Sequence, residues 1–227
     1  LNDQFVCLTL KLRQGLLFNF SESTHYEIHS HIISVGGRSV MTSKKHKRAT
    51  DRCSEALDKI EIKEKCKYDL VTMVQGDEPL VNNKMIKQSI TPFKLKDINV
   101  VNLMAEMTSV KEFEDPNEVK VVVDKNSDAI YFSREPIPSR KKGVENVLML
   151  KQVCIIPFKR DYLIKFNQMP ETELEKAESV DMMRIIEHGE KVQMVMTTEC
   201  SFSVDTEEDR MIVEKNMVND ELLKSYQ

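Results

Sequence analysis

From residue 68 onward the chain alternates short apolar runs with longer amphipathic ones, and this alternation constrains its fold more than any other feature. Residues 69–74 (DLVTMV) read as a buried strand closed by Gly76 and Pro79, with a helix at 84–90 beyond it. Further strands are predicted at 98–107, 118–123 (EVKVVV), 129–133, 153–158 and 191–197. Helices are predicted at 160–167 and, as one segment ending on the C-cap Gly189, at 172–188. Thr206 and Asp209 have the spacing of a capping box before a last helix. Residues 5–10 read as a strand, and 26–35 as a strand or a helix. Strands alternating with helices specify a layered, doubly wound α/β domain with a mixed, mostly parallel sheet.

At 227 residues the chain fits one domain, 1–227, large enough for a sizeable core. With 41% hydrophobic and 31% charged residues it lies far from the composition of disordered chains. A net charge of −4 provides no field to gather nucleic acid or an anionic membrane, so neither is expected as a partner. The local exception is KKHKR at 44–48, readable as a solvated loop or as a phosphate contact. The five cysteines are scattered without a C-x-x-C pair, which predicts reduced thiols in a cytoplasmic protein rather than a disulfide frame or zinc site. No apolar stretch approaches the ~20 residues of a membrane helix, and no signal peptide is evident. Leu1 in place of Met fits a chain that begins inside a longer product or has been processed.

In open α/β sheets ligands bind beyond the carboxyl ends of strands. Asp77, in VQGDEP at 74–79, is predicted at such an end, beside Gly76, which permits close backbone approach. Asp205 is predicted at a second strand end, before the last helix. Two converging carboxylates suit magnesium, which takes one or two carboxylates plus substrate phosphates. The structural alternatives are a turn-forming Asp77 and a helix-capping Asp205.

From about residue 33 to 218 the sequence resembles the 3-deoxy-manno-octulosonate (KDO) cytidylyltransferases, also called CMP-KDO synthetases. The resemblance is carried, in order, by GGRSVMTS at 36–43, TDR at 50–52, VQGDEPL at 74–80, NEVKVVVD at 117–124 and YFSREPIP at 131–138. It continues through Glu178 and Arg184 of ES-x-x-x-x-R, GEKV at 189–192 and SVDTEEDR at 203–210. The resemblance implies a nucleotidyltransferase-type (Rossmann-like) fold, a homodimer, and transfer of CMP from CTP to the anomeric hydroxyl of KDO with release of pyrophosphate. It further implies that Asp77 and Asp205 are catalytic and hold Mg2+. Thr50, Asp51, Arg52 and Gln75 would meet the nucleotide, and Arg134, Gln152 and Glu178 the sugar.

The match departs from the family at three places. Residues 1–32 are atypical or truncated, and the family's phosphate loop, R-x-x-S-x-R-L-P-G-K-P, is absent; Lys11, Arg13 and Gly15 are the nearest material. The segment before MTS is shorter than the family's, which predicts a sheet lacking one central strand. Arg48, Ala49 and Gln152 stand where the family has serine, glycine and histidine. Two further readings follow: a catalytically impaired relative that keeps the fold, and a CMP-activating enzyme for another acidic keto-sugar.

Overall fold

The computed structural model describes residues 5–11, 17–94, 97–143, 147–199 and 202–218. The chain opens with strands β1 (Phe5–Lys11) and β2 (Leu17–Ser23), helix α1 (Tyr26–Ser34), β3 (Ser39–Met41) and α2 (Ala49–Glu64). Next come β4 (Leu70–Gln75), α3 (Asn83–Ile90), β5 (Val101–Glu106), α4 (Val110–Glu114), β6 (Lys120–Val123) and β7 (Ala129–Ser133). Strands β8 (Leu150–Val153) and β9 (Ile155–Lys159) lead into α5 (Arg160–Gln168), α6 (Glu173–Glu178) and α7 (Met182–Glu187). Strand β10 (Gln193–Met196) and helix α8 (Glu207–Met217) end the described chain.

The strands form two five-stranded sheets, β3-β2-β1-β4-β9 and β10-β5-β8-β6-β7. A bridge between Val100 and Phe158, with the Lys159 amide donating to the Asn99 carbonyl at 2.8 Å, joins them. The mixed α/β character agrees with the sequence expectation, but the sheets are not mostly parallel. Among the described strands only β2 with β3 and β5 with β10 run parallel. The cause lies in hairpins, β1 with β2 and β6 with β7, and in β4 meeting β9 antiparallel. The expected loss of a central strand is also corrected: β1 fills the place between β2 and β4, antiparallel to both.

Helix α2 buries Cys53, Ala56, Leu57 and Ile60, the i, i+3, i+4, i+7 stripe of an amphipathic helix. That stripe joins Val71 and Met73 of β4, Phe158 of β9 and Leu163 and Phe166 of α5 in the larger core. Burying a side chain such as Leu57 is worth about 2 kcal/mol. Val74 points the other way, into a smaller cluster with Met85 and Ile86 of α3 and Leu103 of β5. The alternation along β4 therefore separates two layers, as a strand covered on both faces requires.

Two predicted elements are broken, each for a tertiary reason. The strand expected at 153–158 bends at Cys154: Leu103 faces Val153 while Val100 faces Phe158, so three steps on one side span five on the other. The β8–β9 side takes up two more residues there, where the chain passes from pairing with β5 to pairing with β4, and the Cys154 amide bonds the Glu78 carboxylate at 3.0 Å. The helix expected at 172–188 is two helices, interrupted where Ser179 takes a left-handed φ of 54°. Its end is as expected, with Gly189 at φ 74°. Residues 26–35 resolve as a helix, and Thr206 and Asp209 form the expected capping box.

Candidate active site

Residue side chains at the carboxyl end of β4 open into a cavity of about 330 Å3. Met73 and Gln75 on β4, and Gln152, Cys154 and Ile156 along the run from β8 into β9, line it at alternate positions, and Lys151 of β8 lines it as well. Past Gln75 the chain turns, with the Glu78 amide donating to the Gln75 carbonyl at 3.2 Å, and Asp77 enters the cavity wall. The amide of Val204 donates to the Asp77 carbonyl at 2.9 Å, which brings Asp205 to the same wall. Thr206, not Asp205, is the N-cap of α8, so Asp205 is not spent on capping. Its own amide donates to the Asp209 carboxylate at 3.2 Å, which fixes its backbone.

Cys154 lines the same cavity as Asp77, Glu78, Glu118 and Asp205. Burial pushes its thiol well above the ordinary range, and the charges of Asp77, Glu78, Glu118 and Asp205 push it in the same direction. Glu78 is itself buried and engaged by the Cys154 amide, so it supports the turn. Among the described residues no group of three or more His, Cys, Asp or Glu side chains is arranged to hold a metal. The hard, two-carboxylate donor set fits magnesium, which completes its shell with phosphate oxygens and water, and does not fit a closed zinc cage.

Another part of the lining is built around Arg134. Its Nε donates to the Glu178 carbonyl at 2.8 Å and its Nη1 to the Pro116 carbonyl at 2.9 Å. Glu178 does not line the cavity; its carboxylate accepts from the Tyr131 hydroxyl, the Ser133 hydroxyl and the Arg134 amide at 2.8–3.0 Å. It is a bracket for Arg134. Gln152 lines the cavity, and its amide nitrogen donates to Asn102 Oδ1 at 2.5 Å. Asn102 donates to the Leu103 and Val153 carbonyls, so its oxygen must be the acceptor and the Gln152 oxygen is turned away from it.

Beside Gln152, Lys151 sits between Glu112 at 2.8 Å and Glu118 at 3.0 Å. Burial works against its charge, but the two carboxylates outweigh it and hold the ammonium above the ordinary lysine range. Burial raises the Glu118 carboxyl despite Lys151.

The nucleotide-side expectations divide. Gln75 lines the cavity; Thr50, Asp51 and Arg52 do not. Thr50 is buried and donates to Asp181 at 2.8 Å, Asp51 is half-buried in the first turn of α2, and Arg52 is buried with its Nε 3.0 Å from Glu22. Lys47 and Arg48 of KKHKR do line it, so the run is not simply a solvated loop. Of the material nearest to the missing phosphate loop, Lys11 pairs with Leu70, at the far end of β4 from Gln75, and Arg13 and Gly15 lie outside the described residues.

Three contributors escaped sequence reasoning. Glu118 and Asp181 line the cavity, and Lys120, fully buried, donates to the carbonyls of Asp115, Glu118 and Arg134 at 2.6–2.8 Å. A lysine inside the valine run EVKVVV was the available signal, since a buried charge in a strand needs partners.

A family model described as Cytidylyltransferase matches residues 21–192. The 3-deoxy-manno-octulosonate cytidylyltransferase of Fusobacterium nucleatum subsp. nucleatum is 40% identical over 184 residues, covering 80% of this chain and 72% of the relative. That of Flavobacterium johnsoniae is 35% identical over 185 residues, covering 80% and 73%. Among solved structures, CMP:2-keto-3-deoxy-manno-octonic acid synthetase complexed with CTP superposes with a TM-score of 0.77 at 29% identity, covering 87% of this chain and 79% of that one. Motifs, fold and relatives agree, and the chain belongs to the 3-deoxy-manno-octulosonate cytidylyltransferases.

Proposed function

We propose that this chain transfers CMP from CTP to the anomeric hydroxyl of KDO. The oxygen of that hydroxyl forms a bond to the α-phosphorus, the bond from phosphorus to the bridging oxygen breaks, pyrophosphate leaves, and the hydroxyl proton passes to solvent. The observation that carries the reading is the meeting of the Asp77 and Asp205 segments at a cavity that Arg134 also lines. Asp77 and Asp205 would hold Mg2+, which in such reactions draws charge off the phosphate oxygens and orients them.

The protein's own groups position the two substrates. Gln75 offers cytosine both a donor and an acceptor. Two of the five guanidinium donors of Arg134 hold it in place, and the rest suit a sugar carboxylate. Gln152 turns an acceptor oxygen away from Asn102, suited to a sugar hydroxyl. Thr50 and Arg52 act from behind the wall, fixing the head of α2 through Asp181 and Glu22, and Asp51 lies in the first turn of the same helix, where a negative charge suits the helix N-terminus. Glu178 acts through Arg134. The free thiols of Cys53, Cys66 and Cys154 suit the reducing cytoplasm. We further infer a homodimer, to be checked by sedimentation.

Release of pyrophosphate from CTP with magnesium and KDO is the test, and no release from folded protein overturns the reading. Competing acidic keto-sugars in the same assay decide the sugar. The impaired-relative reading draws support from β1, whose last residue, Lys11, pairs with Leu70 at the opposite end of β4 from Asp77. Calorimetry separates the two: tight, magnesium-dependent CTP binding favours the active enzyme, its absence the impaired one.

A further inference from the structure

Arg48 ends the basic run and stands just before α2, with extended backbone. Its guanidinium reaches the junction between α6 and α7. Nη1 donates to the Ser179 hydroxyl at 3.2 Å, and Nε lies 3.5 Å from Asp181 and 3.9 Å from Glu175. Thr50, two residues on, donates to the second oxygen of Asp181 at 2.8 Å. The head of α2 therefore grips both oxygens of one carboxylate.

The gripped junction begins at Glu178, the bracket of Arg134. Between Glu178 and Asp181 lies Ser179 in its left-handed conformation, which costs a non-glycine residue about 1 kcal/mol and persists only where neighbours hold it. Arg48 bonds that residue directly. Arg48 also offsets the Asp181 charge on the wall of a cavity read as taking a polyanion. Glu175 is mainly occupied elsewhere, bonded through both oxygens to Arg184 at 2.5 and 2.7 Å, so the partners that depend on Arg48 are Ser179 and Asp181.

We propose that Arg48 is a positioning residue that couples the nucleotide-side wall to the sugar-side arginine: by holding Ser179 and Asp181 it fixes the turn from which Glu178 orients Arg134. The coupling to catalysis rests on the reading that Arg134 meets the sugar carboxylate. The latch itself does not.

Hydrogen exchange and steady-state kinetics on the full chain test both parts, using Arg48→Ala and Arg48→Lys. In Arg48→Ala the amides of residues 180–184 should exchange about tenfold faster, with those of α3 and β10 unchanged. The KM for the keto-sugar should rise about tenfold while kcat changes less than about threefold. Arg48→Lys keeps a cation near Asp181 without the planar fork and should give intermediate values. Wild-type exchange in Arg48→Ala overturns the latch, whether or not the protein turns over. Faster exchange with an unchanged sugar KM overturns the coupling. If the wild-type protein shows no turnover, the functional reading fails by itself, and the exchange comparison still decides the latch.

Discussion

The amide of Val204 donates to the carbonyl of Asp77 at 2.9 Å, and this bond brings together two carboxylates that lie 128 positions apart in the chain. Backbone makes the connection, so an isosteric change at either side chain leaves it in place. Asp77→Asn and Asp205→Asn should each lower kcat by about a hundredfold or more, as loss of one charged stabiliser does. The melting temperature should stay within about 2 °C of wild type, since both changes are isosteric and leave the backbone bond between the two segments in place. Unfolding of either variant on the same assay would show that the carboxylates are structural.

Removal of magnesium should abolish turnover without loosening the fold. The wall that would hold it is built by backbone bonds and by the Glu78 to Cys154 contact. Treatment with a chelator should leave the circular dichroism unchanged, and added magnesium should restore pyrophosphate release. A fall in thermal stability on chelation would contradict this.

Lys120→Met should be destabilising by about 3 kcal/mol, because three partly buried carbonyls lose their donor at once and the buried lysine position loses its whole network. Thermal unfolding is the measurement, with a fall of about 6–12 °C expected for a chain of this size. The residual folded protein should bind the keto-sugar more weakly than CTP relative to wild type, since Lys120 ties Arg134 to the 115–118 turn.

Stability on the acid side should depend visibly on Glu55. Burial pushes its carboxyl up, but bonds from Lys59, the Ser43 amide and His46 outweigh this and hold it down at about 2. A depressed folded pKa stabilises the protein above the unfolded value near 4.5, and that contribution is lost as pH falls from about 5 towards 2. Glu55 is partly exposed, so screening reduces the effect to about 1 kcal/mol. Glu55→Gln should therefore melt lower at pH 7 and show a flatter decline between pH 5 and 2.

What the sequence reveals here is local. Periodicity places β4, α3, β7 and α5 within a residue or two, and the Thr206 to Asp209 spacing fixes the start of α8, because those patterns are set by nearest neighbours. The break at Ser179 was not legible: the run keeps its apolar spacing, and the interruption is imposed by Glu178 bonding to β7 more than forty positions away. Strand direction was hidden for the same reason, since β1 carries the alternation of a strand whichever way it lies against β4. Of the site, motif order located Asp77, Asp205, Gln75, Arg134 and Gln152 on one cavity. It could not separate residues that face the cavity from those, such as Arg52 and Glu178, that brace it from behind.

The bend at Cys154 takes up two additional residues relative to β5, an even number, so side-chain phase is carried unchanged from β9 into β8 and Gln152, Cys154 and Ile156 stay on one side. Deleting one residue there would reverse the phase of everything before it in β8 and rotate Gln152 away from the cavity, whereas deleting two would keep it in place. In this segment the tolerance to length change should follow odd and even steps rather than the number of residues lost.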